Sequence, residues 1–281
     1  MSFATLSYPR VLTIAGSDSG GGAGIQADLK TIAALGCYGM SAITALTVQN
    51  TMGVSGIHEV PVDIVRAQIN AVVDDIGTDA VKIGMLHSAQ IIEMVAAAID
   101  EKRLPHVVLD PVMVSAAGSR LIDDDAISSL VQHLFPRAEV ITPNLDEAAL
   151  LLGHSIDYLQ DLPAAACALL DKGAKAVLLK GGHLVGEDVL DVLAIRSAAG
   201  GEDVHELQSP RIQSHNLHGC GCTLSSAIAS YLALGLDLPA AVQAARVYVL
   251  GAIEASMHVR IGQGVGPLNH SHAPQPMHIK A

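Results

Sequence analysis

Short apolar runs alternate with longer segments of helical period along nearly all of this 281-residue chain. This alternation is typical of a mostly parallel sheet whose two faces are covered by helices. The first helix is predicted at residues 25–35, where Ile25, Leu29 and Ile32 recur at spacings of four and three and Gly36 occupies the place of a C-terminal cap. We therefore predict an α/β fold in one domain over residues 1–281, with a peripheral, histidine-containing tail at 269–281.

The predicted strands and helices alternate as far as residue 180, except that two helices follow each other before the last strand. Strands are predicted at 11–15, 40–48, 80–85, 107–110, 139–142 and 176–180, and helices at 25–35, 64–73, 89–99, 124–135, 145–152 and 164–172. After Gly181 and Gly182 the pattern changes. Residues 189–196 and 204–212 predict two antiparallel strands around Gly200 and Gly201, a small β excursion, before the chain returns to helix at Cys222.

Polar residues and glycines follow the predicted strands at their carboxyl ends. In open α/β sheets, ligands bind in the crevice beyond these ends. We therefore expect the functional site at this edge, formed by residues 16–24, 49–50, 84–85, 110–111, 144 and 180–183.

The segment 218–226, HGCGCTLSS, combines a glycine-rich turn with the start of an apolar helix. The free N–H groups and aligned dipoles of a first helical turn favour an anion, and phosphate is the usual guest. Gly219 and Gly221 allow the backbone to approach it closely. The same position predicts a lowered pKa for the Cys222 thiol. The alternative interpretation is a glycine turn beside a buried, structural cysteine.

Composition narrows the class of partner. The net charge is −12, from 16 basic and 28 acidic residues, which argues against nucleic acid and anionic membranes as partners. An aromatic content of 2% also argues against a base-stacking surface. The sequence has no run of about eighteen uncharged apolar residues and no secretory signal pattern in its first ten residues. We predict a cytoplasmic protein that acts on a small molecule.

Four cysteines, at positions 37, 167, 220 and 222, are too few and too unevenly spaced for a disulfide framework. Cys220 and Cys222, together with His215 and His218, leave a zinc site open as an alternative. We disfavour it because the sequence has no second cysteine pair of this spacing.

Two familiar nucleotide motifs were tested against the sequence. The segment 22–27, GAGIQA, matches the dinucleotide fingerprint and makes a dehydrogenase the first rival. That fold needs an acidic residue at the end of the second strand, where this chain has Gln49 and Asn50. The P-loop pattern of Gly-Lys followed by Ser or Thr is missing from the sequence. Phosphoryl transfer without a P-loop remains, with the turn at 219–222 as the phosphate cradle and Cys222 as proton acceptor.

Seven blocks, in order along the chain, resemble the hydroxymethylpyrimidine/phosphomethylpyrimidine kinases of thiamine biosynthesis, which belong to the ribokinase-like superfamily. They are IAGSDSGGGAGIQADLK (14–30), TALTVQN (44–50), KIGM (82–85), DPVM (110–113), TPNLDEA (142–148), KGGH (180–183) and HGCGCTLSS (218–226). The resemblance implies a ribokinase-like fold, a homodimer, and two ATP-dependent steps on one aminopyrimidine. These are phosphorylation of its hydroxymethyl group and then of the resulting monophosphate.

The resemblance also implies roles for residues around the aminopyrimidine. Gln49 would hold the aminopyrimidine edge, since an amide offers a donor and an acceptor side by side. Met85 would pack on the ring. Without the resemblance, a strand-end amide that caps backbone and a core methionine are the favoured interpretations of these two residues. The pocket would be closed by Gly16, Ala23 and Asp28.

At the nucleotide end, the resemblance implies that Asp110, Asn144 and Glu147 organise magnesium and the ATP phosphates, with the ion held by Asp110 and Glu147. Asn144 and Glu147 also have the spacing of a capping box, so helix capping is an alternative role. Lys180 would lie near the phosphates as a point charge, and its alternative is a solvated strand-end lysine. Cys222 would be the catalytic base, beside an anion hole formed by Gly219, Cys220 and Gly221.

Three positions depart from the family's usual residues. Cys220 replaces a threonine, Gln263 replaces a lysine, and residues 115–117 lack the lysine that many members carry after the DPVM block. Two rival functions stay open. One is a pyridoxal or pyridoxine kinase of the same superfamily, disfavoured because Ser115 stands where those enzymes often carry a second cysteine. The other is a non-catalytic module that senses the pyrimidine.

Overall fold

The computed structural model describes residues 6–113, 122–197 and 200–280. The strands within these ranges form one sheet of nine, in the order β3-β2-β1-β4-β5-β6-β7-β8-β9. The strands are β1 (Arg10–Asp18), β2 (Tyr38–Asn50), β3 (Gly53–Glu59), β4 (Ala80–Ile83), β5 (Val107–Leu109), β6 (Val140–Ile141), β7 (Ala176–Leu179), β8 (Asp188–Arg196) and β9 (Glu202–Pro210).

Eight α-helices lie within the same ranges. They are α1 (Gly24–Ala34), α2 (Val62–Asp75), α3 (Ala89–Lys102), α4 (Asp124–Ser129), α5 (Leu145–Leu152), α6 (Leu162–Leu170), α7 (Cys220–Ala233) and α8 (Leu238–Glu254). The helix predicted at 124–135 changes its hydrogen bonding part-way, because α4 continues as a π-helical turn over Leu130–Leu134. Helix α8, which follows α7, was not predicted from the sequence.

The middle of the sheet is parallel, from β2 through β1, β4, β5 and β6 to β7. A parallel strand covered on both faces must be apolar along its whole length, and six consecutive residues of β1 are buried. The strands β8 and β9 pair antiparallel at one edge, which confirms the predicted β excursion. The strand β3 was not predicted, since its largely exposed residues belong to an edge strand that pairs antiparallel with β2.

Helices cover both faces of the sheet, as predicted. One apolar core packs α2, α3, α4, α5 and α6 against the sheet, and the second packs α1, α7 and α8 against the other face. Gly36 follows α1 with a φ of +73°, a conformation that glycine adopts without strain, which confirms the predicted end of that helix. In the part of the chain that the structure describes, no helix is both long and apolar enough to cross a bilayer.

The prediction of a peripheral tail needs correction. Backbone N–H groups of Gln275 and His278 donate to the carbonyls of Ala34 and Gly36, at 2.7 and 2.9 Å. His270 is only 4% exposed, and the Tyr248 hydroxyl donates to its carbonyl oxygen. Burial lowers the pKa of His270 to about 4. The tail therefore extends the packing around the end of α1, although most side chains beyond His270 are exposed.

Candidate active site

The predicted edge of the sheet carries a cavity of about 700 Å3. Its walls come from the ends of six parallel strands, the start of α7 and the β8–β9 excursion. A short polar or glycine segment follows each buried strand, so the chain leaves the apolar sheet where a ligand can meet backbone and polar side chains. The predicted site residues that line this cavity are Gly16, Ala23, Gln49, Met85, Asp110, Asn144, Glu147, Lys180, Gly219, Cys220, Gly221 and Cys222.

The start of α7 opens into the middle of the cavity. Gly219 precedes the helix with a φ of +88°, and a side chain there would collide with the backbone of Gly22. Glycine is therefore required both by the dihedral angle and by the close approach of the two loops. A Cβ built on Gly221 would lie 3.1 Å from Lys180 Nζ and 3.4 Å from Asp110 Oδ2. The first turn of α7 thus faces a cation and a carboxylate across the cavity.

The predicted lowering of the Cys222 pKa is wrong. Burial raises the pKa of the Cys222 thiol to about 11; Lys82 opposes this rise, while Asp28 and Asp110 add to it. The partial positive charge at a helix start does not outweigh the removal of a thiolate from water. The neighbouring Cys220 follows the same rule, because burial raises its pKa to about 12.

A buried ion pair lies beneath the first turn of α7. Lys82 Nζ donates to both carboxylate oxygens of Asp28, at 2.9 and 3.0 Å, and both side chains are completely buried. Asp28 also accepts from Thr13 at 2.6 Å and from Ser226 at 2.7 Å. Because Cys222 and Ser226 are four residues apart on α7, they lie on the same face of that helix. Asp28 therefore connects β1, β4, α1 and α7.

The expectation that Asp28 closes the substrate pocket needs correction. Lys82 lies on the cavity wall, whereas Asp28 lies behind it and is engaged by three side chains. Burial alone would lower the pKa of Lys82, but Asp28, Cys222 and Asp110 together hold that pKa above its usual value. Lys82 thus keeps its charge. A lysine within the otherwise apolar strand 80–83, AVKI, was the sequence signal for it.

A second cation lies at the end of the cavity formed by β5, β6 and β7. Lys180 Nζ donates to Asp110 Oδ1 at 3.0 Å, and Thr142 Oγ1 donates to the same oxygen at 3.0 Å. Lys180 is therefore paired within the site, and the alternative of a solvated strand-end lysine is wrong. Burial would lower its pKa, but Asp110 and Glu147 raise it.

Asn144 and Glu147 form the capping box that their spacing predicted. Asn144 Oδ1 accepts from the Glu147 N–H at 2.9 Å, and Glu147 Oε2 accepts from the Asn144 N–H at 2.8 Å. Glu147 is only 2% exposed. Burial raises its pKa to about 7; Lys180 opposes the rise and Asp110 adds to it. Glu147 therefore caps helix α5 and also lines the cavity.

The other end of the cavity holds Gln49 and Met85. A Cβ on Gly16 would lie 2.6 Å from Met85 Cε, so the thioether occupies the space beside the first loop. Gln49 Nε2 lies 3.3 Å from His218 Nε2, which lies 3.0 Å from Asp18 Oδ2. Neither His218 nor Asp18 was predicted from the sequence to act at this end of the site. Their separation of 200 residues explains why no local pattern reveals the pair.

A further ion pair on the cavity wall was also missed. Arg246 Nε donates to Asp191 Oδ2 at 2.8 Å, and Asp191 Oδ1 accepts from the Gly181 N–H at 3.0 Å. This pair joins α8 to β8 and to the segment after β7. Sequence reasoning missed it because α8 itself was not assigned.

The three departures from the family pattern lie in different places. Cys220 lines the cavity. Gln263 is exposed, and its side chain accepts from Arg260 at 3.2 Å. Residues 115–117 lie outside the described residues. Among the described residues, no group of three or more His, Cys, Asp or Glu is arranged to hold a metal, so the zinc alternative at Cys220, Cys222, His215 and His218 gains no support.

Solved structures share this architecture. The pyridoxal kinase of Bacillus subtilis in complex with ADP superposes with a TM-score of 0.86 at 40% identity, over 95% of this chain and 98% of that one. A phosphomethylpyrimidine kinase from Clostridium difficile gives a TM-score of 0.75 at 43% identity, over 87% and 99%. The fold is that of a kinase of the ribokinase-like class.

Sequence relatives identify the branch of that class. A family model described as phosphomethylpyrimidine kinase matches residues 18–269. The hydroxymethylpyrimidine/phosphomethylpyrimidine kinase of Streptomyces coelicolor is 51% identical over 265 residues, which cover 94% of this chain and 95% of that protein. The Bacillus subtilis enzyme of the same name is 43% identical over 94% and 96%. The chain belongs to the phosphomethylpyrimidine kinase family.

Proposed function

We propose that this protein uses ATP to phosphorylate the hydroxymethyl group of 4-amino-5-hydroxymethyl-2-methylpyrimidine, and then the monophosphate, giving the diphosphate for thiamine biosynthesis. The observation that carries the proposal is one continuous cavity. It has an amide and a thioether at one end, the Cys222 thiol and the start of α7 in the middle, and the Lys180–Asp110 pair at the other. The relatives at 43–51% identity carry the same activity in their names.

In the first step, Cys222 acts in its thiolate form and accepts the proton of the substrate hydroxyl as the hydroxyl oxygen bonds to the γ-phosphorus of ATP. The bond between that phosphorus and the leaving ADP oxygen breaks, so the proton ends on sulfur and the electron pair on ADP. The buried charge of Lys82 favours the thiolate form of Cys222. The N–H groups of Gly219, Cys220 and Gly221 are proposed to stabilise the charge on the transferring group.

At the nucleotide end, Lys180 is proposed to neutralise phosphate charge, with Asn144 and Glu147 shaping the wall. The donor set also fits a magnesium ion, because Asp110 and Glu147 bring two carboxylates to the cavity and magnesium prefers oxygen ligands. Two carboxylates together with nucleotide phosphates are typical of kinase magnesium sites. When bound, such an ion neutralises charge on the phosphates.

At the substrate end, Gln49 is proposed to hold the aminopyrimidine edge and Met85 to pack on the ring, between Gly16 and Ala23. Asp28 acts through Lys82 and α7 rather than by contact with the substrate. Gln49→Ala should therefore raise KM for the pyrimidine and leave KM for ATP unchanged.

A coupled assay of ADP release tests the proposal directly. The pyrimidine, its monophosphate and pyridoxal are offered side by side to the same preparation. Turnover of both pyrimidines with a higher kcat/KM than pyridoxal supports the proposal. A preference for pyridoxal would favour the rival activity, which the pyridoxal kinase structures make the specific competitor. Binding of the pyrimidine without turnover of any compound would indicate a sensing module.

Three wider statements belong to the same proposal. Residues 1–281 act as a single kinase domain, the protein works in the cytoplasm, and it forms a homodimer. The dimer is supported by apolar side chains on β2 that face away from Gln49. Leu46 is 45% exposed and Val48 is 64% exposed, and alternation along the strand places both opposite to Thr47 and Gln49.

A further inference from the structure

The Gln49 amide is enclosed by groups whose own hydrogen bonds are directional. One end of the amide lies 3.3 Å from His218 Nε2, and the other end lies 3.0 Å from Thr47 Oγ1. The backbone of Gln49 is held separately. Ser19 Oγ donates to its carbonyl at 2.7 Å and accepts from its N–H at 3.0 Å. The side-chain amide can therefore turn by 180° about its last bond without moving the strand.

His218 must donate through Nε2. Four hydrogen bonds converge on the Asp18 carboxylate, from the N–H groups of Gly20, Gly22 and Ala23 and from the His218 ring. Burial would raise the pKa of Asp18, but the His218 ring and the backbone donors lower it. An ionised carboxylate only accepts, so the His218 Nε2 atom beside it carries a hydrogen.

The ring of His218 is held in this position from two further directions. Its backbone N–H donates to the Gly266 carbonyl at 3.0 Å. Its ring packs so closely on the Gly22 backbone that a side chain at position 22 would collide with it. The single Nε2 hydrogen points to Asp18 at 3.0 Å, and Gln49, at 3.3 Å from the same nitrogen, shares it only as the weaker branch. A ring nitrogen that carries a hydrogen has no lone pair left to accept from an amide.

Thr47 must accept from Gln49. Its hydroxyl has one hydrogen, and Oγ1 lies 2.9 Å from the carbonyl oxygen of Ser17, which can only accept. With that hydrogen given to Ser17, the Gln49 group that faces Thr47 has to be a donor. The group that faces the His218 N–H has to be an acceptor. Both requirements are met when the amide is turned by 180° from the placement that puts Nε2 toward His218 and Oε1 toward Thr47, so that Gln49 Oε1 faces His218 and Gln49 Nε2 faces Thr47.

We infer that His218, held by Asp18, and Thr47, held by the Ser17 carbonyl, lock the Gln49 amide in this one orientation and so determine which heterocycle the pocket accepts. The inference rests on the proposed function. The locked amide offers one N–H and one oxygen lone pair to the cavity. An aminopyrimidine matches it, because its ring nitrogen accepts and its amino group donates. A ring with an oxo group and a neighbouring N–H presents the reverse pattern.

The test compares 4-amino-5-hydroxymethyl-2-methylpyrimidine with the same ring carrying an oxo group at position 4. The wild-type kcat/KM should favour the amino compound by at least about a hundredfold, since the mismatch leaves polar groups unpaired. In Thr47→Val the amide loses its acceptor partner and can turn, so this ratio should fall by about tenfold. Thr47→Ser keeps the hydroxyl and should retain the wild-type ratio.

Calorimetric binding of both compounds without ATP gives the same ratio independently of turnover. The two hypotheses are tested separately. Phosphorylation of the amino compound by the wild type tests the proposed kinase activity, and the ratio between the two compounds tests the fixed orientation of the Gln49 amide. An unchanged ratio in Thr47→Val would overturn the inference, as would an equal fall in Thr47→Ser. Thermal unfolding of each variant checks that the β2 strand is intact. His218→Leu removes the partner on the opposite side of the amide. The ratio of the kcat/KM values for the amino and oxo compounds should again fall by about tenfold.

Discussion

The proposed base, Cys222, accepts a proton only as a thiolate, and burial raises the pKa of its thiol to about 11, against the opposing charge of Lys82. A base matters only where the nucleophile carries a proton that has to be removed. A hydroxymethyl group carries such a proton. A phosphate monoester, with a second pKa of about 6, is already ionised at neutral pH.

Removal of the thiol should accordingly affect the two phosphorylations unequally. In Cys222→Ala, kcat for the hydroxymethyl compound should fall by roughly a hundredfold or more, with little change in its binding. The fall for the monophosphate should be smaller. The matched control is Cys220→Thr, two residues away, which should keep both rates. Single-turnover rates with each substrate check this, and an unchanged kcat in Cys222→Ala would remove the cysteine from the mechanism.

Variants of the buried Lys82–Asp28 pair should change the stability of the protein and its catalytic rate in different ways. Lys82→Met leaves the Asp28 charge buried and uncompensated, which costs about 3–5 kcal/mol. The double variant Lys82→Met, Asp28→Asn removes both charges and should recover most of this stability. It should not recover kcat, because Cys222 still lacks its buried cation. Urea unfolding and turnover are measured on the same preparations, and a double variant with wild-type kcat would contradict the role given to Lys82.

Glu147 should make stability depend on pH. Its pKa is about 7 in the folded protein against 4.5 as the reference value, so the folded state holds a proton that the unfolded state has released. Its contribution to stability is therefore complete below about pH 4.5 and is lost as the pH rises through 7. Glu147→Gln should equal the wild type in stability near pH 4.5 and exceed it at pH 8, where the wild-type carboxylate is buried and ionised. Urea unfolding at both pH values measures this, with the exposed Glu206→Gln as control.

Several site residues could be predicted from the sequence because their signals are local. The glycine turn, the capping box of Asn144 and Glu147, and the polar ends of the strands all depend on residues close together in the chain. His218 beside Gln49, and Lys82 with Asp28, are pairs separated by 169 and 54 residues. Their chemistry arises from burial and from distance in space, which no local pattern contains.

At the scale of elements, the junction between the first loop and α7 determines the shape of the site. In Gly219→Ala, a residue with a Cβ must adopt the positive φ of this position, and the new Cβ collides with the backbone of Gly22. Gly235, just after the other end of α7, has a similar φ of +94° but open space around it. Gly235→Ala should cost about 1–2 kcal/mol through its dihedral angle alone and leave kinetics unchanged. Gly219→Ala should cost more and lower kcat as well. Thermal unfolding and turnover of both variants make the comparison, and equal effects would show that the loop contact is unimportant.

Element type was predictable wherever the period was strong. The parallel strands and the helices between them follow from apolar runs and from spacings of three and four. The strand β3 was not predicted, because an edge strand with exposed side chains lacks a buried face to impose a pattern. The π-helical end of α4 and the bound tail depend on packing against elements distant in the chain.

At the scale of the whole molecule, the proposed homodimer uses the outward face of β2. Val48→Glu places a charge in the centre of this apolar face, opposite to the side that carries Gln49. The wild type should have twice the chain mass of 29.0 kDa in light scattering, and the variant should approach one chain mass. The exposed Val204 on β9 provides a matched control in Val204→Glu. A wild type of single chain mass would contradict the dimer, and an unchanged mass in Val48→Glu would move the interface elsewhere.

The sequence by itself determined the class of fold, the edge of the sheet that carries the site, and the glycine turn with its cysteine. Each of these depends on the hydrophobic periodicity or the spacing of residues that are close together in the chain. Only the tertiary structure decided the protonation of Cys222, the position of Asp28 behind Lys82, and the neighbours of Gln49. The physical reason is that hydration and hydrogen-bond direction depend on what surrounds a group in space. Residues distant in the chain supply those surroundings.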